Sequence, residues 1–594
     1  MERSSLLRWV LIGAAVFLLI QFGLPALTGK KSGGSNELQP LGARDDSAPA
    51  ATERKAEELC RLSGQRFSAE LGTRGGSLRH VWMEGNQYTH PRDGKDTPID
   101  LVTTLVESRM PLRTDLRSPE APQQVAYDDL DWTLSAQDGH SCSFEYGDKD
   151  VTLTKVIRAT GHPFELELDL GITNRAAEPR KHRLSVEQTD WRTKHEMAGS
   201  MGRVSEFMTQ AVLRAGGKTK RLSADDFKPG DFKDADFTTE RWRRLPGDAQ
   251  WAAVSSSYFS KAVIHLAGPA TPFAESVVEE YWDTSRFTAK TDDPSYGDLF
   301  RARLAYPVQE LAPGASVHYR VLGYVGPKER AVLAQAGGGG HDASELLELG
   351  VFGWIGKILI AYLYWLFHLV GTWGWAICLL TITVRTLLFP LSLAQIKSSM
   401  AMRRLKPQMD ELNAKYKDDP QQKSLALQEL FRKNNVTNPV LGCIPVLLQM
   451  PVWFALYQAL NTAVELYHVP FGPFIPDLSA PGKYFIIPIV LGLSSFFQQR
   501  LMPMQGDPMQ QKMMMYMMPA IFTVFMLFLP AGLGIYFMTN TWLGIGQQLA
   551  VEKFYRSRSS AVLAADAKDE KAATDDKPSS RASRKEKSRV QQGG

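Results

Sequence analysis

The stretch WAICLLTITVRTLLFPLSLAQ, residues 375–395, decides the fold class because it is almost entirely apolar and yet carries an arginine near its middle. About 20 apolar residues suffice to cross the roughly 30 Å hydrocarbon core of a bilayer as a helix. Similar stretches follow it, and we expect five membrane spans: Trp373–Leu393, Val440–Val464, Tyr484–Met502, Met513–Leu529 and Gly532–Ala550. The sequence therefore predicts a polytopic α-helical membrane protein with a five-helix core at 372–552.

The N-terminus carries a separate apolar run, from Leu6 to Leu27, flanked by Arg3 and Arg8. A cleavable signal peptide is the alternative, but no A-x-A cleavage pattern follows the run. We therefore expect a retained transmembrane anchor at 1–28. The next segment, 29–55, is rich in Gly, Ser, Pro and Ala, a composition typical of a flexible linker.

Residues 56–345 have the pattern of an exported β domain. From Phe164 to Leu170 apolar and polar residues alternate strictly, which places the apolar side chains on one face of a strand. Many such runs, separated by Gly, Pro, Asp and Asn, predict a large antiparallel β-sandwich. Cys60 and Cys142 both lie here, and whether they form a disulfide is left open.

Residues 346–371 are apolar but are not counted as a span. Lys357, Tyr364 and His368 fall on one stripe of a helix, as in an amphipathic helix lying in the membrane interface. With five late spans, the basic segment Lys397–Lys433 and the basic tail 553–594 both fall in the cytoplasm, as the positive-inside rule requires. The expected location is the bacterial inner membrane, with both termini cytoplasmic and the β domain periplasmic.

The first late loop, 397–435, is predicted to be a cytoplasmic helical hairpin. Leu405, Met409, Leu412 and Tyr416 recur with helical spacing, and a second apolar stripe follows the break at 417–420. Its basic outer faces are suited to lipid headgroups, a ribosome or a charged nascent chain, although a plain solvated connector would show the same pattern.

Arg385 is the strongest candidate for a functional residue. A guanidinium inside a span costs several kcal/mol unless it faces protein, water or an anion. Thr381 lies one turn earlier on the same face, and Glu465 is expected at the opposite membrane surface. Polar residues on other spans complete a predicted hydrated cavity: Gln458, Asn461, Tyr536 and Asn540. Taken singly, the uncharged ones could equally be hydrogen-bonding glue between helices.

Large apolar side chains are predicted to flank this cavity: Trp453, Phe454, Phe525 and Phe528. The methionine-rich segment 509–519 has the adaptable side chains that suit varied apolar partners, although an ordinary membrane-entry segment explains it as well. We therefore expect an apolar surface beside the polar cavity.

Several function classes find no support in the sequence. A net charge of +4 does not indicate a nucleic-acid-binding protein, and no Cys/His spacing matches a zinc site. No G-x-x-x-x-G-K-[ST] motif is present. We expect no catalytic residues, no cofactor and no metal.

Several segments closely resemble the bacterial YidC insertase family: TITVRTLLFPLSLAQ at 381–395, NPVLGCIPVLLQMPVWFALY at 438–457 and DPMQQKMMMYMMPAIFTVFMLFLPAGLGIYF at 507–537. In the β domain, WAAVSSSYFSKAVI and YVGPKE are also similar to that family. The resemblance implies a β-supersandwich of mutarotase-like shape and a five-helix core around a hydrophilic groove. It matches Arg385 and Thr381 to groove residues, and Phe537 to a tyrosine whose hydroxyl is absent here.

That resemblance also implies the activity and the partners. The chain is expected to insert nascent membrane proteins into the bilayer and to help them fold, alone or with the Sec translocon, and to contact ribosomes and lipids. Two other hypotheses remain: a solute transporter or channel, since an intramembrane arginine can bind an anion, and a carbohydrate enzyme on a membrane anchor.

Overall fold

The structure is a computed structural model that describes residues 56–575, except for 86, 93–94, 105, 118–130, 199–204, 228–241, 283–295, 349, 351–352, 417–418, 435–443, 483 and 502–510. The predicted anchor at 1–28, the linker at 29–55 and the end of the tail lie outside the described residues.

The β domain is built from strands numbered β1 to β20. They are Leu59–Gly64, Phe67–Gly72, Ser77–Met83, Thr89–Arg92, Lys95–Pro98, Arg113–Arg117, Thr133–Gln137, Ser141–Gly147, Val151–Ala159, Glu165–Asn174, Arg180–Thr193, Gln210–Ala215, Lys218–Leu222, Arg243–Leu245, Ala249–Ser255, Phe259–Ala267, Phe273–Trp282, Tyr296–Ala305, Gln309–Leu311 and Ser316–Pro327. Short 3₁₀ turns lie at Glu107–Arg109, Ala224–Phe227, Ala336–Gly338 and Ala343–Leu346.

Two large antiparallel sheets make up most of this domain. The nine-stranded sheet has the order β13-β12-β15-β16-β20-β10-β9-β8-β7, and the six-stranded sheet has the order β14-β17-β18-β11-β19 with β6 beside β11. Strands β12, β15 and β16 of the first sheet pack against β11, β17 and β18 of the second. This is the sandwich that the alternating pattern predicts.

The alternation predicted at 164–170 corresponds to β10, whose partners β9 and β20 pair with it over nearly its whole length. Leu166 and Leu168 are fully buried in the sandwich core. Each fully buried leucine contributes on the order of 2 kcal/mol of hydrophobic free energy.

Cys60 on β1 and Cys142 on β8 form a disulfide whose Cα atoms are 6.1 Å apart. The bond joins the three-stranded sheet β1-β2-β3 to the nine-stranded sheet. The question that the sequence left open is thus answered by the structure.

The helices, numbered α1 to α10, are Lys194–Met197, Arg330–Gln335, Gly353–Val370, Trp373–Leu387, Phe389–Lys415, Pro420–Lys433, Ile444–Asn461, Ile486–Leu501, Met518–Met526 and Ala531–Asp575. A π-helical turn, Met513–Met517, precedes α9, and a 3₁₀ turn, Val464–Leu466, follows α7. The hairpin's first helix thus begins earlier than the predicted residue 397, and the last helix runs on into the predicted tail.

The chain divides into two compact units. The first comprises the described residues up to Leu380 together with Gln449–Gly492 and Met517–Phe537, and so includes the β domain. The second comprises Thr381–Leu448, Leu493–Tyr516 and the described residues from Met538 onward.

Among the described helices, α3 is the one that is by itself long and apolar enough to cross a membrane. The pair α4 and α5 qualifies only as one span bent by 61°, while α8 and the segment Met513–Met526 are apolar but shorter. Pro390, which lacks an amide hydrogen, lies at the start of α5 and explains the bend. The five spans therefore remain a prediction.

Two of the three polar residues of the α3 stripe, Lys357 and His368, are exposed. Lys357 pairs with Glu345, and the Tyr364 hydroxyl bonds Glu465. Large apolar side chains of this helix are exposed as well: Trp354, Ile358, Trp365 and Leu369. Of the polar stripe, Tyr364 is the residue that is partly buried against the protein.

The helices α5 and α6 form an antiparallel pair held by an apolar seam. Met402, Leu405, Met409 and Phe431 are buried together, with Leu427 packed against them. Asp419 caps α6 by accepting hydrogen bonds from the amides of the next residues. The periodic residues of the loop thus pack where the helical pattern predicts.

Candidate functional site

Arg385 lies in the last turn of α4, where the helix dipole favours a positive charge. Its Nε donates a hydrogen bond to Asn540 Oδ1 at 2.6 Å, and its Nη2 donates to the Asn540 backbone carbonyl at 3.0 Å. One residue of α10 therefore fixes both the position and the plane of the guanidinium. Both residues belong to the second unit.

Gly544, one turn after Asn540, provides the space that the arginine occupies. A Cβ atom at this position would lie 3.0 Å from Arg385 Nη2 and 3.0 Å from Gln498 Nε2. Carbon and nitrogen atoms in ordinary contact are about 3.5 Å apart or more. By contrast, a Cβ at Gly546 would meet nothing within 4 Å. We call Asn540 and Gly544 the arginine cradle.

The cradle is supported by further contacts within the second unit. Trp542 Nε1 donates to Ser494 Oγ at 2.9 Å, which links α10 to α8. Gln548 Nε2 donates to the Leu501 carbonyl at 2.6 Å. These bonds fix α10 against α8 on either side of Gln498.

An ion pair adds α5 to this arrangement. Arg403 on α5 lies 3.1 Å from Glu552 on α10, and the same carboxylate accepts a hydrogen bond from Gln548. The pair is partly exposed, so its net contribution to stability is at most about 1 kcal/mol. Its effect is to fix the helical hairpin to α10.

The two groups of Asn540 that bind Arg385 are neutral oxygen acceptors. They orient the guanidinium without cancelling its charge, and Arg385 is only partly buried. Thr381, one turn earlier, is 1% exposed and so contributes to packing in this structure. The arrangement can present an oriented positive charge, and electrostatic attraction of an acidic group is the chemistry that it supports.

The other polar residues of the predicted cavity lie in the first unit. Gln458 Nε2 donates to the Glu348 backbone carbonyl at 3.2 Å, so it binds the segment before α3. Asn461 is the last residue of α7 and is partly buried. Tyr536 is 6% exposed and packs beside Phe537. The structure thus joins Arg385 with Asn540 and gives Gln458 a different partner.

The predicted apolar side chains also lie in the first unit. Phe454, Phe525 and Phe528 are partly buried. Phe537 is 8% exposed, and its ring meets Phe522 edge-on at 5.4 Å. Trp453 belongs to α7, but its side chain lies outside the described residues.

Gly544 was missed by sequence reasoning. It lies four residues after Asn540 and thus on the same helix face, but a glycine carries no polar pattern of its own. Only the approach of the arginine from α4 reveals its role. Among the described residues, no group of three His, Cys, Asp or Glu side chains could hold a metal ion.

Comparison with known proteins identifies the family. The family model described as "YidC periplasmic domain" matches residues 60–366, and the model described as "60Kd inner membrane protein" matches residues 365–558. A solved structure described as an active YidC insertase with its first transmembrane domain resolved covers 84% of this chain and 93% of that one, at 18% identity and a TM-score of 0.35.

Two relatives carry the same name, membrane protein insertase YidC. That of Anaeromyxobacter dehalogenans (strain 2CP-C) is 35% identical over 515 residues, which are 84% of this chain and 86% of the relative. That of Shewanella sp. (strain ANA-3) is 31% identical over 517 residues, which are 85% and 88% of the two chains. The chain therefore belongs to the YidC family of inner-membrane protein insertases, and its β domain is the periplasmic domain of that family.

Proposed function

We propose that this protein inserts nascent proteins into the bacterial inner membrane, and that Arg385 attracts the polar segment that has to cross. The insertase names of the relatives support the activity. The observation that carries the mechanism is the arginine cradle, in which neutral oxygens of Asn540 hold the guanidinium.

The physical argument concerns the cost of moving a polar segment through hydrocarbon. A charged group near the middle of a bilayer draws water and polar groups toward it. An oriented guanidinium, whose charge Asn540 does not neutralise, attracts the acidic residues of a substrate tail and keeps its surroundings hydrated. The dry distance that the tail has to cross is shortened, and no nucleotide is needed for this step.

The apolar helix of the substrate supplies the driving force. Its transfer from water to lipid is worth about 25 cal/mol per Å² of apolar surface. In this proposal it slides along Trp453, Phe454, Phe525, Phe528 and Phe537 into the bilayer. The aromatic side chains offer apolar contact without demanding a particular sequence. Among the polar residues predicted to line a hydrophilic groove, Asn540 has in this proposal the role of holding Arg385.

The partners in this proposal follow from the charged surfaces. The hairpin of α5 and α6 exposes Arg404, Lys406, Lys415, Arg432 and Lys433 while burying its apolar seam. A basic cytoplasmic surface of this kind suits ribosomal RNA and anionic lipid headgroups. Together with the tail, it would receive a nascent chain either alone or beside the Sec translocon.

The same proposal fixes the topology. The β domain is periplasmic, both termini are cytoplasmic, and α3 lies in the membrane interface with its exposed face toward lipid. That face consists of Trp354, Ile358, Trp365 and Leu369, side chains that suit the boundary between headgroups and acyl chains.

The test is complementation of insertase-depleted cells with Arg385→Ala and Arg385→Lys. Two versions of a small substrate are compared, one with an acidic exported tail and one with the same tail neutralised to Asn and Gln. We expect Ala to lower insertion of the acidic version at least about tenfold, since a hydrogen-bonded charge is worth about 1.5–3 kcal/mol. Lys should retain part of the activity, because it supplies the charge without the planar fork.

Arg158→Ala, which removes an exposed arginine of strand β9, is the control for loss of one positive charge. Equal insertion of both substrates by Arg385→Ala at wild-type expression would refute the role of the arginine. Failure of the wild-type chain to restore insertion at all would refute the insertase function itself.

A further inference from the structure

The segment after α7 is packed into the β domain. Gln87 Nε2 donates to the Val464 carbonyl at 3.0 Å. The Tyr467 ring lies 5.1 Å from that of Tyr258 and 5.8 Å from that of Phe259. Val464 and Tyr467 are buried in the same hydrophobic cluster as the sandwich core. This segment and the β domain therefore form one body within the first unit.

The carboxyl group of Glu465, between these two residues, joins three elements. It accepts a hydrogen bond from the Tyr364 hydroxyl on α3, and another from the Arg330 backbone amide at the start of α2, at 3.2 Å. The Arg330 guanidinium in turn donates to the Lys357 carbonyl of α3 at 3.1 Å. The end of the β domain, helix α3 and the segment after α7 thus meet at one carboxyl group.

A second carboxylate lies beside the first. Glu329, adjacent to Arg330 in the chain, accepts two hydrogen bonds from Arg66, at 2.8 and 2.6 Å, and one from the Tyr88 hydroxyl at 2.5 Å. These donors anchor Glu329 to the β domain. The described donors to the Glu465 carboxyl are the Tyr364 hydroxyl and the backbone amides of Arg330 and of Glu465 itself.

Burial raises the pKa of Glu465 to about 7, and the negative charge of Glu329 acts in the same direction. Helix α3 contributes two titratable groups near Glu465, Tyr364 and Lys357, and Lys357 is paired with Glu345. The β domain and the start of α2 contribute the others: Arg66, Tyr88, Tyr324, Glu329 and Arg330. The backbone amide of Glu465 itself, the backbone amide of Arg330 and the charge of Arg330 oppose this rise in the pKa without cancelling it.

We propose that Glu465 is a positioning residue whose protonated carboxyl fastens helix α3 and the end of the β domain to the segment after α7. Loss of its proton leaves a buried charge beside Glu329, and the junction loosens. Helix α3 is followed after two residues by α4, which carries Arg385, so the junction holds the helix that directly precedes the proposed site in the chain. On the proposed topology it faces the periplasm, whose pH follows that of the surroundings.

The direction of the pH effect follows from linkage. The carboxyl has a pKa of about 7 in the closed junction and the ordinary value of 4.5 when the junction opens. Because the pKa is higher in the closed state, the proton stabilises the closed junction. This stabilisation is complete below pH 4.5 and is lost as the pH rises through 7. Between pH 6 and pH 8 the equilibrium for opening should rise about tenfold.

The experiment is hydrogen exchange with mass spectrometry on the full chain in lipid nanodiscs at pH 6 and pH 8, corrected for the intrinsic exchange rate. The peptide that contains the Arg330 amide reports on the bond to Glu465 directly. We expect its protection to fall about tenfold between the two pH values in the wild type. Hydrogen exchange does not depend on insertion activity, so its result tests the role of Glu465 independently of the proposed function.

Three variants separate proton loss from simple structural damage. Glu465→Gln keeps an acceptor for both bonds but cannot ionise, so its protection should be high and independent of pH. Tyr364→Phe should lower protection at both pH values, because one donor is lost while the carboxyl remains. Glu310→Gln, on the exposed strand β19, should behave as the wild type.

Two results would overturn the proposal. One is a wild-type peptide whose corrected protection is the same at pH 6 and pH 8. The other is a Glu465→Gln protein that keeps the full pH dependence, which would assign the titration to another group.

Discussion

Two buried cations of the β domain, Arg303 and Lys261, and the partly buried Arg385 of the helical unit bind different kinds of acceptor. In the β domain Arg303 lies 2.7 Å from Glu275, and both side chains are almost fully buried. Lys261 lies 2.6 Å from Asp190 in a similarly closed environment. In the helical unit, Asn540 holds Arg385 through neutral oxygens. A carboxylate carries a charge that opposes the cation, whereas an amide oxygen orients the cation without carrying such a charge.

The difference is clearest in a row of side chains across the six-stranded sheet. Charges of alternating sign lie opposite one another in register on β14, β17, β18, β11 and β6: Arg244, Glu275, Arg303, Glu187 and Arg113. Cross-strand neighbours of opposite charge stabilise a sheet, and here each carboxylate lies between two arginines. The row is a structural feature, complete within the domain.

The largest expected effect comes from breaking that row. Glu275→Ala leaves the buried guanidinium of Arg303 without its carboxylate, and removal of one member of a buried ion pair costs about 3–5 kcal/mol. We expect a corresponding drop in the urea concentration at which half of the β domain is unfolded. Limited proteolysis of the full chain in detergent, at increasing urea concentrations, measures this midpoint.

The control on the same strand is Glu280→Ala. Glu280 pairs with Lys194, but both side chains are about half exposed. Exposed pairs contribute at most about 1 kcal/mol, so this variant should unfold close to the wild type. Equal destabilisation by the two variants would contradict the distinction drawn between buried and exposed pairs.

The next effect should appear in function and hardly in stability. Asn540→Ala removes the side-chain acceptor of Arg385 Nε and keeps the backbone carbonyl that binds Nη2. The lost bond is to a charged group, and such a bond is worth about 1.5–3 kcal/mol. We expect insertion of a substrate with an acidic tail to fall about tenfold or more in reconstituted vesicles, with normal expression and folding.

A pair of glycines on α10 sharpens the same test. Gly544→Val places a side chain where Arg385 Nη2 and Gln498 Nε2 now lie, whereas Gly546→Val enters open space. Both substitutions put a β-branched residue into the same helix, so their intrinsic helical cost is the same. The cradle requires the first to impair insertion and the second to leave it near normal; equal rates for the two variants would contradict it.

The smallest effect concerns Lys155, a buried cation of the β domain held by neutral groups. Its Nζ donates to the carbonyls of Gly75 and Leu112 at 3.1 Å each. Burial, with a contribution from the charge of Arg113, lowers its pKa to about 7. A pKa below that of the unfolded chain gives stability that is present at high pH and is lost as the pH falls through 7.

Between pH 7 and pH 8 the free energy of unfolding of the wild type should therefore rise by about 1 kcal/mol relative to Lys155→Met. Urea unfolding of both proteins at the two pH values measures this difference. Parallel pH profiles for wild type and variant would show that this lysine does not titrate in that range.

The sequence predicts those parts of the molecule that depend on local periodicity. Strict alternation identified β10, and the apolar recurrence at Leu405 and Met409 identified the helix that packs against α6. Both patterns work because one face of the element is buried and the other is not. Arg385 was equally singled out by the sequence, since a guanidinium among apolar residues needs an explanation within its own segment, and its functional role stays a prediction.

What the sequence did not provide are contacts between residues far apart in the chain. Gly544 has no signal until Arg385 approaches it, and Glu465 reads as a carboxylate at a membrane surface until Tyr364 and Arg330 are placed beside it. Helical spacing placed Gln458 on the same helix face as the other predicted cavity residues. Spacing does not say which segment packs against that face, and in the structure Gln458 binds the Glu348 carbonyl. Each of these outcomes is decided by tertiary packing rather than by local pattern.

The bond between Cys60 and Cys142 has a consequence for how the protein itself is made. The two cysteines are 82 residues apart, so β1 through β8 must all have left the cytoplasm before the thiols meet in an oxidising compartment. The oxidation state of this pair, read from a simple thiol-labelling gel, records whether a given molecule has exported its domain. A chain devoted to the assembly of others thus depends on the cell's disulfide-forming machinery for its own maturation.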